Sequence, residues 1–373
     1  MEQEIQKIIE QELGLTNIAQ IEEGGQSYSF KSYDPILRRE VFMKVYWYSE
    51  KYKDTLLTEP RRLSTLFHSN PNSRKHIANV YDVSRFNVKV DEYLFIKMEY
   101  CGSENIGQII NDRAISIHEA IDYSKQLCEG LHFLHSVNIL HRDIKPENLM
   151  IDKGVCKLVD FGSTTNLGDK ESFIRGSSIK TKNYTPPEYF EEGRIYGRFS
   201  DIYQIGVVLH EMLNGRLKID YSKLPRGFIK NYETQFGKQK EAFSNWEVSE
   251  MENGIINHFS RKNGFLTTFS KPKSHVPRKL IDTIKTITHS DYSKRPSSCV
   301  ILRNLLSNLV VPNWLKITDE EYLVSNWQGK DYKITYNSRK NEWQLEFATF
   351  NSSNYRKNSS IKTWESVVNL INK

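Results

Sequence analysis

Apolar residues change their spacing several times along this chain, and each change marks an element. Ile5, Ile8, Ile9 and Leu13 recur at helical spacing, and Gly14 is placed to stop a short amphipathic helix over residues 3–14. Residues 18–30 and 41–48, rich in β-branched and aromatic side chains, read as strands. Residues 93–102 read as an inner strand running into a turn. From 120 to 135 the pattern is helical again, with Ile121, Ser124, Cys128, Leu131 and His135 on one stripe. Residues 163–180 are dense in Ser, Thr and Gly, the composition of a mobile loop. Residues 215–277 are polar and carry both charges, which predicts a solvated loop. Near the end, residues 332–336 and 343–347 alternate with period two, with turns at 328–330 and 337–341. Ser359-Ser360 can cap a last helix bearing Trp364, Val367, Val368 and Leu370.

Composition narrows the picture. Across 373 residues, 38% hydrophobic and 26% charged fractions are ordinary for a globular protein and exclude wholesale disorder. That length holds a two-lobed enzyme and one small extra module. A net charge of +6 allows acidic partners, but solvated surface explains it as well. Cys101, Cys128, Cys156 and Cys299 form no CxxC pair, so they read as reduced, buried thiols rather than a zinc site or disulfide framework. Met1-Glu2-Gln3-Glu4 is followed by no apolar signal segment, and no run approaches the ~18 apolar residues of a membrane helix. A cytoplasmic protein with no membrane contact is expected.

The chemistry concentrates in His141-Arg142-Asp143-Ile144-Lys145-Pro146-Glu147-Asn148-Leu149-Met150 and in Asp160-Phe161-Gly162. Asp143 is a base, Lys145 an ammonium, and Asn148 with Asp160 are two oxygen ligands for a hard cation. Mg2+ binds through one or two carboxylates plus substrate phosphates and keeps several waters, so this pair suits it. Phosphoryl transfer needs such a kit because it is mostly positioning and charge neutralisation.

Those two runs, at this spacing, resemble the catalytic and metal-binding loops of the eukaryotic-type protein kinases, and Lys145 resembles the serine/threonine branch. The likeness covers roughly residues 20–305. It implies an α+β, bilobal fold with a β-rich N-lobe over 20–100 and a helical C-lobe over 101–310; the N-terminal helix, over 1–19, precedes it, and the stretch near 216–277 departs from the family pattern as an insertion. Residues 311–373 fall outside it and are expected to form a small β-β-β-α module.

The resemblance also implies roles. Asp143 would be the base and Lys145 would steady the γ-phosphate of ATP, while Asn148 and Asp160 would hold Mg2+. Lys44, in Val41-Phe42-Met43-Lys44, would hold the α- and β-phosphates and pair with Glu59. Gly24, Gly25 and Ser27 would cradle phosphate. Glu99 and Cys101 would offer backbone groups to adenine, with Met98 as gatekeeper, Met150 beneath the ring and Phe161 packed behind. Ser172, Ser177, Ser178 and Thr181 are candidates for activation-loop phosphorylation, with Arg142 as a partner for the phosphate. Glu188 in Pro186-Pro187-Glu188 would pair with Arg295, and Asp201 would brace the catalytic loop. Glu147 hints at basic residues in the substrate.

Three features depart from the family pattern. Only Gly24 matches the glycine-rich loop in register. Phe42 replaces the usual alanine, and Ser29 the usual valine, which suggests an exchange of volume across neighbouring strands. Pro60 follows Glu59, where it disfavours α geometry. A protein serine/threonine kinase that autophosphorylates is the first expectation. The alternative is a pseudokinase or scaffold with weak or no catalysis. Protein substrates are the expected partners, with room for another at the C-terminal module. Four of six tryptophans lie there, read as a compact core, and no nucleic-acid motif accompanies them.

Overall fold

The computed structural model describes residues 1–24, 27–48, 75–102, 104–168, 171–175, 182–261, 265–358 and 361–373. It opens with α1 (Glu2–Gln11), whose Ile5 and Ile9 are fully buried. Five antiparallel strands follow: β1 (Thr16–Gly24), β2 (Ser27–Asp34), β3 (Arg39–Tyr48), β4 (Val80–Val88) and β5 (Asp91–Glu99). They form one sheet in the order β1-β2-β3-β5-β4.

Strand alternation divides this sheet into two faces. Val41, Met43 and Val45 pack with Ile5, Ile9, Phe30 and Phe95 on the face that α1 covers. Phe42 and Tyr46 join Leu94, Ile96 and Met98 in the core of the larger, helical part of the molecule. Lys44 lies between those two rings on the strand, so it too faces the cleft.

The chain then runs through β6 (Glu104–Asn105), α2 (Ile106–Asp112) and α3 (Ile117–Ser136). The Ser116 hydroxyl accepts from the Glu119 N–H, and Glu119 reaches back to the Ser116 N–H; this capping box starts α3 three residues before the predicted point. All five residues of its expected stripe are buried. Next come β7 (Ile139–Leu140), β8 (Leu149–Asp152), β9 (Val155–Leu158), β10 (Thr165–Asn166), β11 (Phe173–Ile174) and β12 (Tyr196–Gly197). Then α4 (Arg198–Asn214) runs through the interior with Ser200 to Leu213 all buried.

The expectation of a solvated loop over 215–277 is overturned. This stretch holds α5 (Phe228–Phe236), α6 (Asn245–Ser260) and α7 (Phe265–Phe269). A Ser244/Glu247 capping box starts α6, and Met251, Ile255, Ile256, Phe265, Leu266 and Phe269 are buried. Its charge count hid an apolar stripe at helical spacing. Helices α8 (Arg278–Ile287) and α9 (Cys299–Ser307) complete the helical part.

A C-terminal β/α extension follows, and its antiparallel sheet has five strands rather than three. They are β13 (Asn313–Lys316), β14 (Glu321–Trp327), β15 (Lys330–Asn337), β16 (Glu342–Thr349) and β17 (Arg356–Asn358), before α10 (Trp364–Ile371). The outer strands are too short to show alternation. Thr363, whose hydroxyl accepts from the Ser366 N–H, caps α10; the expected caps Ser359 and Ser360 lie outside the described residues. Of the apolar residues read on this helix, Val367 and Val368 are buried and Leu370 is 43% exposed. Trp314, Trp343 and Trp364 cluster with Tyr322 as the core of this unit. Among the described residues no helix is long and apolar enough to cross a membrane.

Candidate active site

Strand β3 delivers Lys44 to the cleft, and its Nζ lies 2.5 Å from Asp160 Oδ1. Residues 116 apart in sequence are thereby joined across the two parts of the molecule. Burial pushes the Asp160 carboxyl up, but Lys44 outweighs it and holds the group down at about 2. Asp160 is in the left-handed region at φ 59°, and its Oδ1 also accepts from the Gly162 N–H at 3.3 Å. A non-glycine residue keeps that conformation only where its surroundings over-determine it.

The loop between β7 and β8 carries the other groups. Asn148 Nδ2 donates to the Asp143 carbonyl at 2.7 Å and reaches Asp143 Oδ2 at 3.3 Å. Lys145 Nζ donates to the same Oδ2 at 3.0 Å. The Val159 N–H donates to the Asn148 carbonyl at 2.9 Å, which sets Asn148 beside the residue preceding Asp160. Asp143, Lys145, Asn148, Asp160 and Lys44 are thus brought into one constellation.

Helix α4 supports that loop from below. Asp201 accepts from the N–H groups of His141 at 3.0 Å and Arg142 at 2.9 Å, from Tyr196 Oη at 2.8 Å, and contacts His135 Nε2 at 2.8 Å. Burial acts to raise this carboxyl, and the bonds from His135 and the loop amides bring it below the usual range. One turn on, Gln204 accepts from the Ile144 N–H at 2.9 Å and donates to the Tyr184 carbonyl at 3.1 Å. Asp201 was legible in the sequence. Gln204, His135 and Tyr196 were not singled out for this work, although the i, i+3 spacing of Asp201 and Gln204 placed both on one helix face.

Glu188 and Arg295 meet as expected in a fully buried, two-pronged pair, at 2.9 and 2.7 Å, and Ser200 Oγ also donates to Glu188 at 2.6 Å. Phe161 is buried and packs edge-on against His141, ring centres 5.6 Å apart. Glu99 ends β5. Its carboxylate accepts from Lys157 Nζ at 2.5 Å and Asn79 Nδ2 at 2.8 Å, and its carbonyl from the Cys101 thiol at 3.6 Å. Met98 is buried and Met150 half-buried on the same core.

Gly24 and Ser27 pair where β1 turns into β2. Ser27 faces Tyr46 and Ser29 faces Lys44, so both serines share the cleft side. Gly25, Glu59, Pro60, Ser177, Ser178 and Thr181 lie outside the described residues; Ser172 is exposed.

For a divalent cation the donor set is oxygen: the Asp160 carboxylate, kept anionic by Lys44, and the side-chain Oδ1 of Asn148, whose Nδ2 is already engaged by Asp143. Among the described residues no group of three or more His, Cys, Asp or Glu converges on a metal position. Two protein ligands, with water and phosphate completing the shell, fit Mg2+ rather than zinc.

A small sheet over a helical base, with a lysine bridging them to a half-buried carboxylate, is the arrangement of a kinase-type fold. The sequence matches the family described as protein kinase domain over residues 16–307, and the chain belongs to that family. A probable serine/threonine-protein kinase of Clostridium acetobutylicum is 29% identical over 215 residues, 57% of this chain and 30% of that protein. The serine/threonine-protein kinase PrkC of Bacillus subtilis is 30% identical over 203 residues, 53% of this chain and 30% of PrkC. CBL-interacting serine/threonine-protein kinase 8 of Arabidopsis thaliana is 32% identical over 162 residues, 43% of this chain and 35% of that kinase. The matches therefore span about a third of the length of these relatives.

Proposed function

We propose that this chain is an active protein serine/threonine kinase that transfers the γ-phosphate of ATP to protein hydroxyls. The observation that carries the reading is the contact between Lys44 and Asp160, with Asp143, Lys145 and Asn148 hydrogen-bonded together beside it. Relatives named as serine/threonine kinases support the choice of hydroxyl.

Asp143 orients the substrate hydroxyl and accepts its proton as the new O–P bond forms and the bond to the bridging oxygen of ADP breaks. Lys145 balances charge on the transferred group, and Lys44 on the α- and β-phosphates, with Glu59 as its expected partner. Asn148 and Asp160 would hold Mg2+, which when bound neutralises charge on the phosphates. Adenine would lie between the cleft side of β2 and β3 and Met150, hydrogen-bonded to backbone at Glu99 and Cys101. Gly24, Gly25 and Ser27 would close over the phosphates.

Autophosphorylation in the loop around residues 163–181 is part of this reading, as is a cytoplasmic location, which four free, buried thiols suit. The division into an N-terminal helix, two lobes and a C-terminal module is likewise proposed, with that module open to a protein partner.

The test is phosphate incorporation from labelled Mg-ATP by the wild type, Asp143→Ala and Asp160→Ala. Incorporation by the wild type alone is expected, a loss of about 10²-fold or more in each variant. Equal incorporation in all three would remove the mechanism.

A further inference from the structure

One neutral side chain of α4 holds the backbone on both sides of Asp143. Gln204 is fully buried; its Oε1 accepts from the Ile144 N–H at 2.9 Å, and its Nε2 donates to the Arg142 carbonyl at a longer 3.4 Å. The same Nε2 donates to the Tyr184 carbonyl at 3.1 Å, in the segment that runs on to Pro186-Pro187-Glu188. Tyr196 Oη, which donates to Asp201 Oδ1 at 2.8 Å, lies 3.2 Å from the Gln204 oxygen. Both ends of the amide are therefore engaged. With an N–H on one side and two carbonyls on the other, its orientation is fixed by its partners.

The backbone it grips is strained. Arg142, immediately before Asp143, sits in the left-handed region at φ 72°. An arginine keeps that conformation only where its surroundings over-determine it. Helix α4 does so from both ends of the residue, since Asp201 takes the Arg142 N–H at 2.9 Å and Gln204 the Arg142 carbonyl. The groups flanking Asp143 have opposite polarity, so one partner for both must donate and accept. An amide does this; a carboxylate cannot donate and an ammonium cannot accept. Gln204 also adds a link to the segment at 182–188, whose Glu188 is anchored by Arg295.

We propose that Gln204 is a positioning residue for phosphoryl transfer, its amide fixing where Asp143 stands relative to the segment at 182–188. This rests on the kinase reading and adds to it a residue that acts only through others. Alignment is the quantity at stake, because misplacing a reacting group by about 1 Å can cost about 10²-fold in rate.

The experiment compares the wild type with Gln204→Met, which keeps the length and removes the polar contacts, and with Gln204→Glu. Labelled phosphate transfer from Mg-ATP to casein and to the chain itself is followed after thermal melts confirm folding. In the Met variant kcat is expected to fall at least about tenfold, with Mg-ATP affinity by calorimetry within about twofold of wild type. A merely structural role would lower the melting temperature and leave kcat per folded molecule unchanged, which overturns the proposal. A carboxylate at 204 would set oxygen against the Arg142 and Tyr184 carbonyls, so only the protonated acid, whose O–H donates, restores the tie. The Glu variant, as a ratio to wild type, is therefore expected to climb as pH falls from about 8 to about 6 and to exceed the Met variant about threefold at the lower pH. A Glu variant no better than Met there overturns the proposal. Should the Met variant fail to fold, the Glu variant decides by itself: a rate tenfold or more below wild type at the lower pH is the overturning result.

Hydrogen exchange of the Ile144 amide, read by mass spectrometry without nucleotide, separates the tie from the kinase reading. Faster exchange in the variants, with no transfer even by the wild type, would defeat the kinase reading and keep the tie. Transfer by the wild type with unchanged exchange in the variants would do the reverse.

Discussion

Phe42 shows how far one side chain can be read before its neighbours are known. Its number in the strand placed it on the cleft side, and the register confirms that: it stands opposite Met98 on β5 and Lys31 on β2. Ser29 lies diagonally across from it on the same face, small where Phe42 is large. Exchange of volume between adjacent strands is the arrangement a close-packed interior tolerates best. Phe42→Ala is therefore expected to weaken ATP binding modestly, about fivefold by titration calorimetry, since contact area is lost and nothing is unblocked. A large gain in affinity would mean that the ring obstructs the nucleotide and would favour the pseudokinase alternative. Asp160 gives the residue-scale pH expectation. Its folded value, about 2, lies below the ordinary 3.8. The stability this depression supplies is fully present above 3.8 and is lost as pH falls toward 2, so the carboxylate stays anionic throughout any useful assay range.

Among the elements, α4 does most to turn a loop into a catalytic surface. Four of its buried polar residues, Ser200, Asp201, Gln204 and Glu211, each satisfy groups from other segments. The polar letters within an otherwise apolar helix were visible in the sequence. Their partners were not, because Asp201 and His141 are 60 residues apart. Asp201→Ala leaves the His141 and Arg142 amides without their acceptor in a dry interior. A loss of about 3–5 kcal/mol in urea unfolding is expected, together with loss of phosphate transfer. Retention of wild-type stability would show that water or a neighbouring group replaces the carboxylate. The stretch 215–277 teaches the converse lesson. Surface charge dominated its composition, yet one capping box and a sparse apolar stripe suffice for helices once a core is available to receive them.

For the molecule as a whole, the junction between helical part and C-terminal extension is the least expected feature. His118 Nε2 contacts the Val311 carbonyl at 2.8 Å, and the His118 N–H donates to Asn313 Oδ1 at 2.9 Å. Trp364 Nε1 donates to Ser274 Oγ at 2.6 Å. His275 is buried there between Trp314 and Tyr322, ring centres 5.8 and 5.2 Å away. Burial, with Lys273 and Lys316 nearby, pushes this imidazole down to about 4 from the ordinary 6.5. Between those values the unfolded chain binds the proton and the folded chain does not. Stability should therefore be complete above 6.5 and fall as pH drops toward 4. His275→Phe is expected to flatten part of the melting-temperature profile in that window. An unchanged slope would assign the acid sensitivity elsewhere, with buried His210, also pushed down to about 4, as the next variant to test.

The sequence by itself determined the family and the order of its parts. Short motifs such as His141 to Asn148 and Asp160 to Gly162 carry their chemistry in residue type and local spacing. Hydrophobic period likewise fixed α3, β3 and the alternating strands near the C-terminus. Tertiary structure alone decided which groups meet: Lys44 with Asp160, Asp201 with the catalytic loop, and His275 with Trp314 and Tyr322. Such pairings depend on packing between distant segments, and neither spacing nor propensity encodes a distance across the chain.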